Sequence, residues 1–187
     1  MSLNIPTLLT LCRIVLLPVI VAVFYLKTPW ARPLCCLIFL IAAITDWLDG
    51  YLARKWKIES EFGAFLDPVA DKLMVATVLI LIVEDASSWW VTLPAIIIIG
   101  REITISALRE WMASVGARGK VAVSYLGKVK TTLQITALAM LLHKINLIGL
   151  PVYNIGIVAL YIAAALTLWS MVDYLVAAFR PVNSRLG

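Results

Sequence analysis

The sequence is short of the residues that build most soluble metal sites and cross-links. It has one histidine, His143, and three cysteines, Cys12, Cys35 and Cys36. A lone histidine near a helix end argues against a His-based zinc site. The cysteines are odd in number, lack metal-ligand spacing and fall in or beside apolar runs, so they read as small packing residues. Charge is scarce too. Only 14% of residues are charged and 63% are hydrophobic, against about 45–50% apolar in a soluble domain. That composition excludes an ordinary soluble protein. The basic residues form no soluble nucleic-acid-binding face, so no nucleic-acid partner is expected. No stretch is repeated, Gly/Ser-rich or acidic enough to act as a linker, and residues 1–187 read as one domain. Signal-peptide features are missing as well. No basic segment precedes the first apolar run, Arg13 interrupts it and no A-x-A-like site follows, so no cleaved leader is expected.

What the chain does have is long apolar segments. A spanning helix needs about 20 apolar residues. Hydropathy predicts six helices, at about 7–25, 33–55, 63–83, 89–112, 123–143 and 153–178. The expected fold is an all-α integral membrane protein, a six-transmembrane-helix bundle. Pro6 suits a first helical turn, where its missing N–H is not needed, and Pro33, Pro94 and Pro151 also fall near predicted starts. Basic residues sort by side. Arg54, Lys55, Lys57, Arg109, Arg118, Lys120, Lys128, Lys130, Arg180 and Arg185 fall on one side, and Lys27, Arg32 and Lys144 on the other. The positive-inside rule puts both termini on the cytoplasmic side. Trp89 and Trp90 suit an interfacial belt on the outer side, and Trp30 and Trp56 allow the same explanation. The net charge of +5 fits contact with anionic lipid headgroups and anionic substrates.

Against this apolar background stands the stretch DWLDGYLARKWKIESEFGAFLDPVAD, from Asp46 to Asp71. Each carboxylate near the centre of a membrane helix costs roughly 2.5–3.5 kcal/mol, so such groups are functional candidates. Asp46, Asp49, Gly50, Ala53 and Arg54 are spaced i, i+3, i+4, i+7 and i+8, which places them on one helical face. Gly63, Asp67 and Asp71, at i, i+4 and i+8, share a face of the next helix. A short turn between the helices would bring the acidic faces together at the cytoplasmic side. Four converging carboxylates repel one another unless something cationic sits between them. Hard divalent cations prefer oxygen ligands, and Mg²⁺ takes one or two carboxylates plus substrate phosphates. Gly50, Ala53 and Gly63 leave room for a large ligand beside the backbone. Arg54 supplies a donor suited to phosphate. Together these features point to a two-metal site for a diphosphate. Helix–helix hydrogen bonding and small-residue packing explain one Asp or the Gly50–Ala53 pair, but not four aspartates and an arginine on two matching faces.

The pattern D-x2-D-G-x2-A-R-x8-G-x3-D-x3-D resembles the signature of the CDP-alcohol phosphotransferases, with every fixed position present at its spacing. The segments NIPTLLTLCRIVLLPV, WWVTLPAIIIIGREITISALREWMA and GKVKTT extend the resemblance to about Arg180. They are most similar to the bacterial branch whose acceptor is sn-glycerol 3-phosphate. The resemblance implies a multi-pass protein of the cytoplasmic (inner) membrane, often a homodimer, with its active site facing the cytoplasm. It implies CDP-diacylglycerol as donor, membrane lipids as surroundings, and two Mg²⁺ or Mn²⁺ ions as cofactors. On this view Asp46, Asp49, Asp67 and Asp71 hold the metals, and Asp71 is a shared ligand or the general base. Asn4 and Thr7 border the cytidine pocket; helix capping and polar packing explain them equally.

An anionic acceptor needs its own cations. Arg101, Arg109, Lys128 and Lys130 are the candidates for its phosphate. The alternative is ion pairing of the arginines with Glu102 and Glu110, and headgroup snorkelling by the lysines. Lys72 and Asp173 read as structural. Other readings are the same donor chemistry on serine, inositol phosphate or a second phosphatidylglycerol, an intramembrane prenyltransferase, or a cation transporter. A prenyltransferase places its acidic motifs far apart, and a transporter leaves Arg54 without a purpose.

Overall fold

The computed structural model describes residues 5–56, 61–114, 125–145 and 150–179, which form six helices. They are α1 (Ile5–Phe24), α2 (Ala31–Trp56), α3 (Glu61–Ala86), α4 (Trp89–Ser114), α5 (Tyr125–His143) and α6 (Val152–Phe179). α1 packs on α2 and α3, and α6 packs on α4 and α5. Contacts of α5 with α2 and α3, and of α4 with α3, join these two groups.

The helices are apolar on nearly every face, which suits a bundle surrounded by hydrocarbon rather than water. Ile20, Phe39, Val78, Leu79, Ile98, Leu138 and Leu160 are fully buried between helices. Val15, Ile44, Ile80, Ile96, Ile103, Val158 and Trp169 point outward and are exposed. Four helices, α1, α2, α4 and α6, are long and apolar enough to cross a membrane. α3 and α5 carry charge within the helix, at Asp67, Asp71 and Lys72 and at Lys128 and Lys130. Of the cysteines, Cys35 and Cys36 are buried as expected of packing residues, whereas Cys12 is exposed on α1.

Local chemistry explains how the helices fit. Pro18, Pro68 and Pro94 lie inside α1, α3 and α4. A proline removes one N–H and frees the carbonyl four residues earlier. For Pro94 that carbonyl belongs to Trp90, and the Tyr161 hydroxyl of α6 donates to it at 2.8 Å. Gly156 lets α6 approach α5 closely. A Cβ there would lie 3.1 Å from both Leu141 Cγ and Met140 Cβ. α3 and α5 end in left-handed residues, Ser87 (φ 45°) and Lys144 (φ 53°). Their amides donate back to Val83 at 3.0 Å and Met140 at 3.2 Å, which closes the last turns. The Lys144 ammonium then reaches Asp85 at 2.8 Å, and Arg32 pairs with the same carboxylate. α2, α3 and the end of α5 are thereby tied at one end of the bundle, opposite the acidic cluster.

Candidate active site

Three helices contribute to the acidic cluster at similar depth. At 1.5 Å per residue, Arg13 lies about 12 Å inside the start of α1. Asp46 lies about 15 Å before the end of α2, and Asp71 about 15 Å after the start of α3. α2 and α3 therefore turn their acidic faces toward each other and toward α1.

All four aspartates converge on the Arg13 guanidinium. One terminal nitrogen donates to Asp46 and, at 2.5 Å, to Asp71. The other donates to Asp49 at 2.6 Å and to Asp67 at 3.3 Å. The Thr10 hydroxyl, one turn earlier on α1, donates to Asp67. Arg13 is only 1% exposed and Asp49 only 2%, so these two form the floor of the site. Asp46, Asp67 and Asp71 are 37%, 38% and 44% exposed, so each keeps carboxylate surface open to an incoming ligand. Removing one partner of a buried ion pair costs about 3–5 kcal/mol, and Arg13 serves four partners at once.

The sequence reading did not single out Arg13 as part of this site. The signal was present, because an arginine inside an apolar span carries a cost of several kcal/mol and demands a partner. The acids called for a cation, and a protein side chain supplies one. The donor set still suits hard divalent ions, being carboxylate oxygens already gathered and partly open. Among the described residues, however, no three such side chains close round a common point as metal ligands. They surround the guanidinium instead.

The small positions of the motif follow the acids. Gly50 is half-buried and Gly63 buried on the same faces. Ala53 and Arg54 lie on α2, with side chains outside the described residues. Asn4 lies outside them as well. Thr7 is buried on α1, 2% exposed, one turn before Thr10.

A second polar cluster joins α4, α5 and α6. Arg101 pairs with Glu102 at 2.6 Å, and Lys130 reaches the same Glu102 oxygen at 3.1 Å. Arg101 also donates to Ser170 at 2.8 Å. Arg109 donates to the Tyr174 hydroxyl at 3.0 Å, with its guanidinium near that ring. The expected ion pairing of Arg101 with Glu102 is therefore present, and Lys130 shares it. Two cations on one carboxylate leave one positive charge over. Ser170 and Tyr174 were not foreseen as partners, nor was Lys130 as a second partner of Glu102. No ion pair among the described residues links this cluster to the aspartates. The Lys128 side chain lies outside the described residues. Asp173 is exposed.

Comparison with known proteins decides the family. The sequence profile for CDP-alcohol phosphatidyltransferase matches residues 3–169. The chain belongs to the CDP-alcohol phosphatidyltransferase family. Among its relatives is a protein of Sodalis glossinidius (strain morsitans) described as CDP-diacylglycerol--glycerol-3-phosphate 3-phosphatidyltransferase. It is 62% identical over 95% of this chain and 96% of that protein. Proteins of Pectobacterium atrosepticum and Salmonella choleraesuis carry the same description, at 61% and 59% identity over 95% of this chain and 96% of their own lengths.

Proposed function

We propose that this chain transfers the phosphatidyl group of CDP-diacylglycerol to sn-glycerol 3-phosphate, giving phosphatidylglycerophosphate and CMP. The observation that carries the reading is the convergence of Asp46, Asp49, Asp67 and Asp71 from two helices onto one positive group, the Arg13 guanidinium. The choice of acceptor is supported by the descriptions of relatives about 60% identical over nearly the whole chain.

Asp46, Asp49, Asp67 and Asp71 would hold two divalent cations, Mg²⁺ or Mn²⁺. Such ions would neutralise the diphosphate and the charge that develops on the departing nucleotide. The protein's part is mainly positioning and electrostatics, as expected for phosphoryl-type transfer. Gly50, Ala53 and Gly63 leave space for the nucleotide beside α2 and α3, Arg54 pairs with phosphate, and Asn4 and Thr7 border the cytidine. Asp71, the most open of the four, takes the proton from the C1 hydroxyl of the acceptor. That oxygen forms a bond to the β-phosphorus, the bond from this phosphorus to the bridging oxygen breaks, and CMP leaves with the electron pair. Arg101, Arg109, Lys128 and Lys130 hold the acceptor phosphate. The charge left over on the Arg101–Glu102–Lys130 cluster supports this assignment.

All six helices cross the bacterial cytoplasmic membrane in this proposal, with α3 and α5 shielding their charge inside the bundle. The acidic cluster and both termini face the cytoplasm, and two copies form a homodimer. An acceptor screen tests the function. Purified protein is given CDP-diacylglycerol with glycerol 3-phosphate, serine, inositol phosphate or phosphatidylglycerol, and the lipid products are weighed by mass spectrometry. Phosphatidylglycerophosphate as the dominant product is the expected result. Turnover of another alcohol in preference reassigns the acceptor.

A further inference from the structure

We infer that Arg13 is a resident counter-ion for the four aspartates, which a divalent cation must displace before it can bind. The inference rests on the proposed two-cation site and goes beyond it by assigning a role to a residue outside the acidic motif. Three observations carry it. The guanidinium is the point on which Asp46, Asp49, Asp67 and Asp71 all converge, so it takes up ligand oxygens that a metal would need. It is buried, 1% exposed, so water screens it from those oxygens less than it would at the surface. Finally, Arg13 Nε is buried with no hydrogen-bond partner among the described residues. Among the described residues the group is held through its two terminal nitrogens alone.

One guanidinium does not balance four carboxyl groups. Arg13 therefore holds the acidic faces of α2 and α3 together against their repulsion, yet it does not quench the site's demand for cation. A fork of two nitrogens serves two carboxylates on each side, which an ammonium point charge does less well. Arg13 acts through the aspartates and is a positioning residue. It keeps the site assembled without metal and raises the metal concentration needed to fill it.

The test is Mn²⁺ binding without substrates, read from the spin-resonance signal of free Mn²⁺, on the wild-type chain, Arg13→Met and Arg13→Lys in lipid nanodiscs. Removing a positive charge from within ion-pair distance of the ligands should tighten Mn²⁺ binding at least about tenfold in Arg13→Met. Arg13→Lys keeps the charge and loses the fork, so it should tighten binding by a smaller factor. In EDTA, Arg13→Met should melt below wild type and regain more on Mn²⁺ addition. A purely structural arginine gives the opposite sign, because a loosened site binds metal more weakly. Should Arg13→Met fail to fold, Arg13→Lys decides. Unchanged or weaker Mn²⁺ binding in the folded variants overturns the displacement while leaving the metal site standing. A wild-type chain that binds no Mn²⁺ overturns the two-cation reading itself.

Discussion

Single side chains set the chemistry. Asp71 has the most open carboxylate of the four, at 44% exposure, and is the group we propose as the base for the acceptor's proton. Asp71→Asn keeps the shape and removes the base, so CMP release should fall about 10²–10⁴-fold with saturating Mg²⁺ or Mn²⁺. Activity near wild type would remove Asp71 from that role. For the acceptor cations, Arg101→Ala and Lys130→Met should each raise KM for glycerol 3-phosphate by about 10–100-fold, the value of a charged hydrogen bond, with KM for CDP-diacylglycerol held. Steady-state kinetics with each substrate varied in turn checks this, and an unchanged KM for glycerol 3-phosphate misplaces the pocket.

What the sequence made legible at this scale was the facing of the acids, because i, i+3 and i, i+4 spacing is local and periodic. Their partner was not legible. Arg13 meets Asp46 and Asp71 across separations of 33 and 58 residues, and no period in the chain connects them. Glu102 illustrates the same limit. Its pairing with adjacent Arg101 was foreseeable, but its capture of Lys130, 28 residues away, depends on how α5 lies against α4.

At the scale of the element, helix contacts are fixed by a few local devices. Gly156 leaves a tight fit for a Cβ between α5 and α6, since Leu141 and Met140 side-chain atoms stand 3.1 Å from where it would lie. Gly156→Ala should destabilise the fold by about 1–3 kcal/mol, the usual cost of overpacking. Gly100→Ala, with nothing within 4 Å of the added atom, should leave stability unchanged or slightly raised. Thermal melting of the two variants in one detergent compares them directly. Tyr161→Phe removes the donor to the carbonyl freed by Pro94, and the same assay should show a loss of about 0.5–1.5 kcal/mol, the net value of one hydrogen bond. A melt equal to wild type would mean that this carbonyl finds another donor. The helices themselves were legible within a few residues, from apolar run length. The Tyr161–Trp90 contact was not, since neither residue carries a local sign of the other.

For the whole molecule, the division of labour follows the packing. The α1–α3 group carries the acids and their arginine, and the α4–α6 group carries Arg101, Glu102, Lys130 and Ser170. At the opposite end, Arg32, Asp85 and Lys144 tie α2, α3 and the residue after α5 together. Composition alone indicated a membrane protein, because 63% hydrophobic residues exceed what a water-soluble surface tolerates. The relative placement of the two charged clusters lies in long-range packing, which composition does not encode.

The decisive measurement is CMP release by the purified chain in nanodiscs containing CDP-diacylglycerol, with glycerol 3-phosphate and Mg²⁺ or Mn²⁺ added and withdrawn in turn. Release should need all three, with one phosphatidylglycerophosphate formed per CMP, and should stop in EDTA. Release that persists in EDTA, or no release with everything present, would contradict a cation-dependent phosphatidyl transfer at the four aspartates.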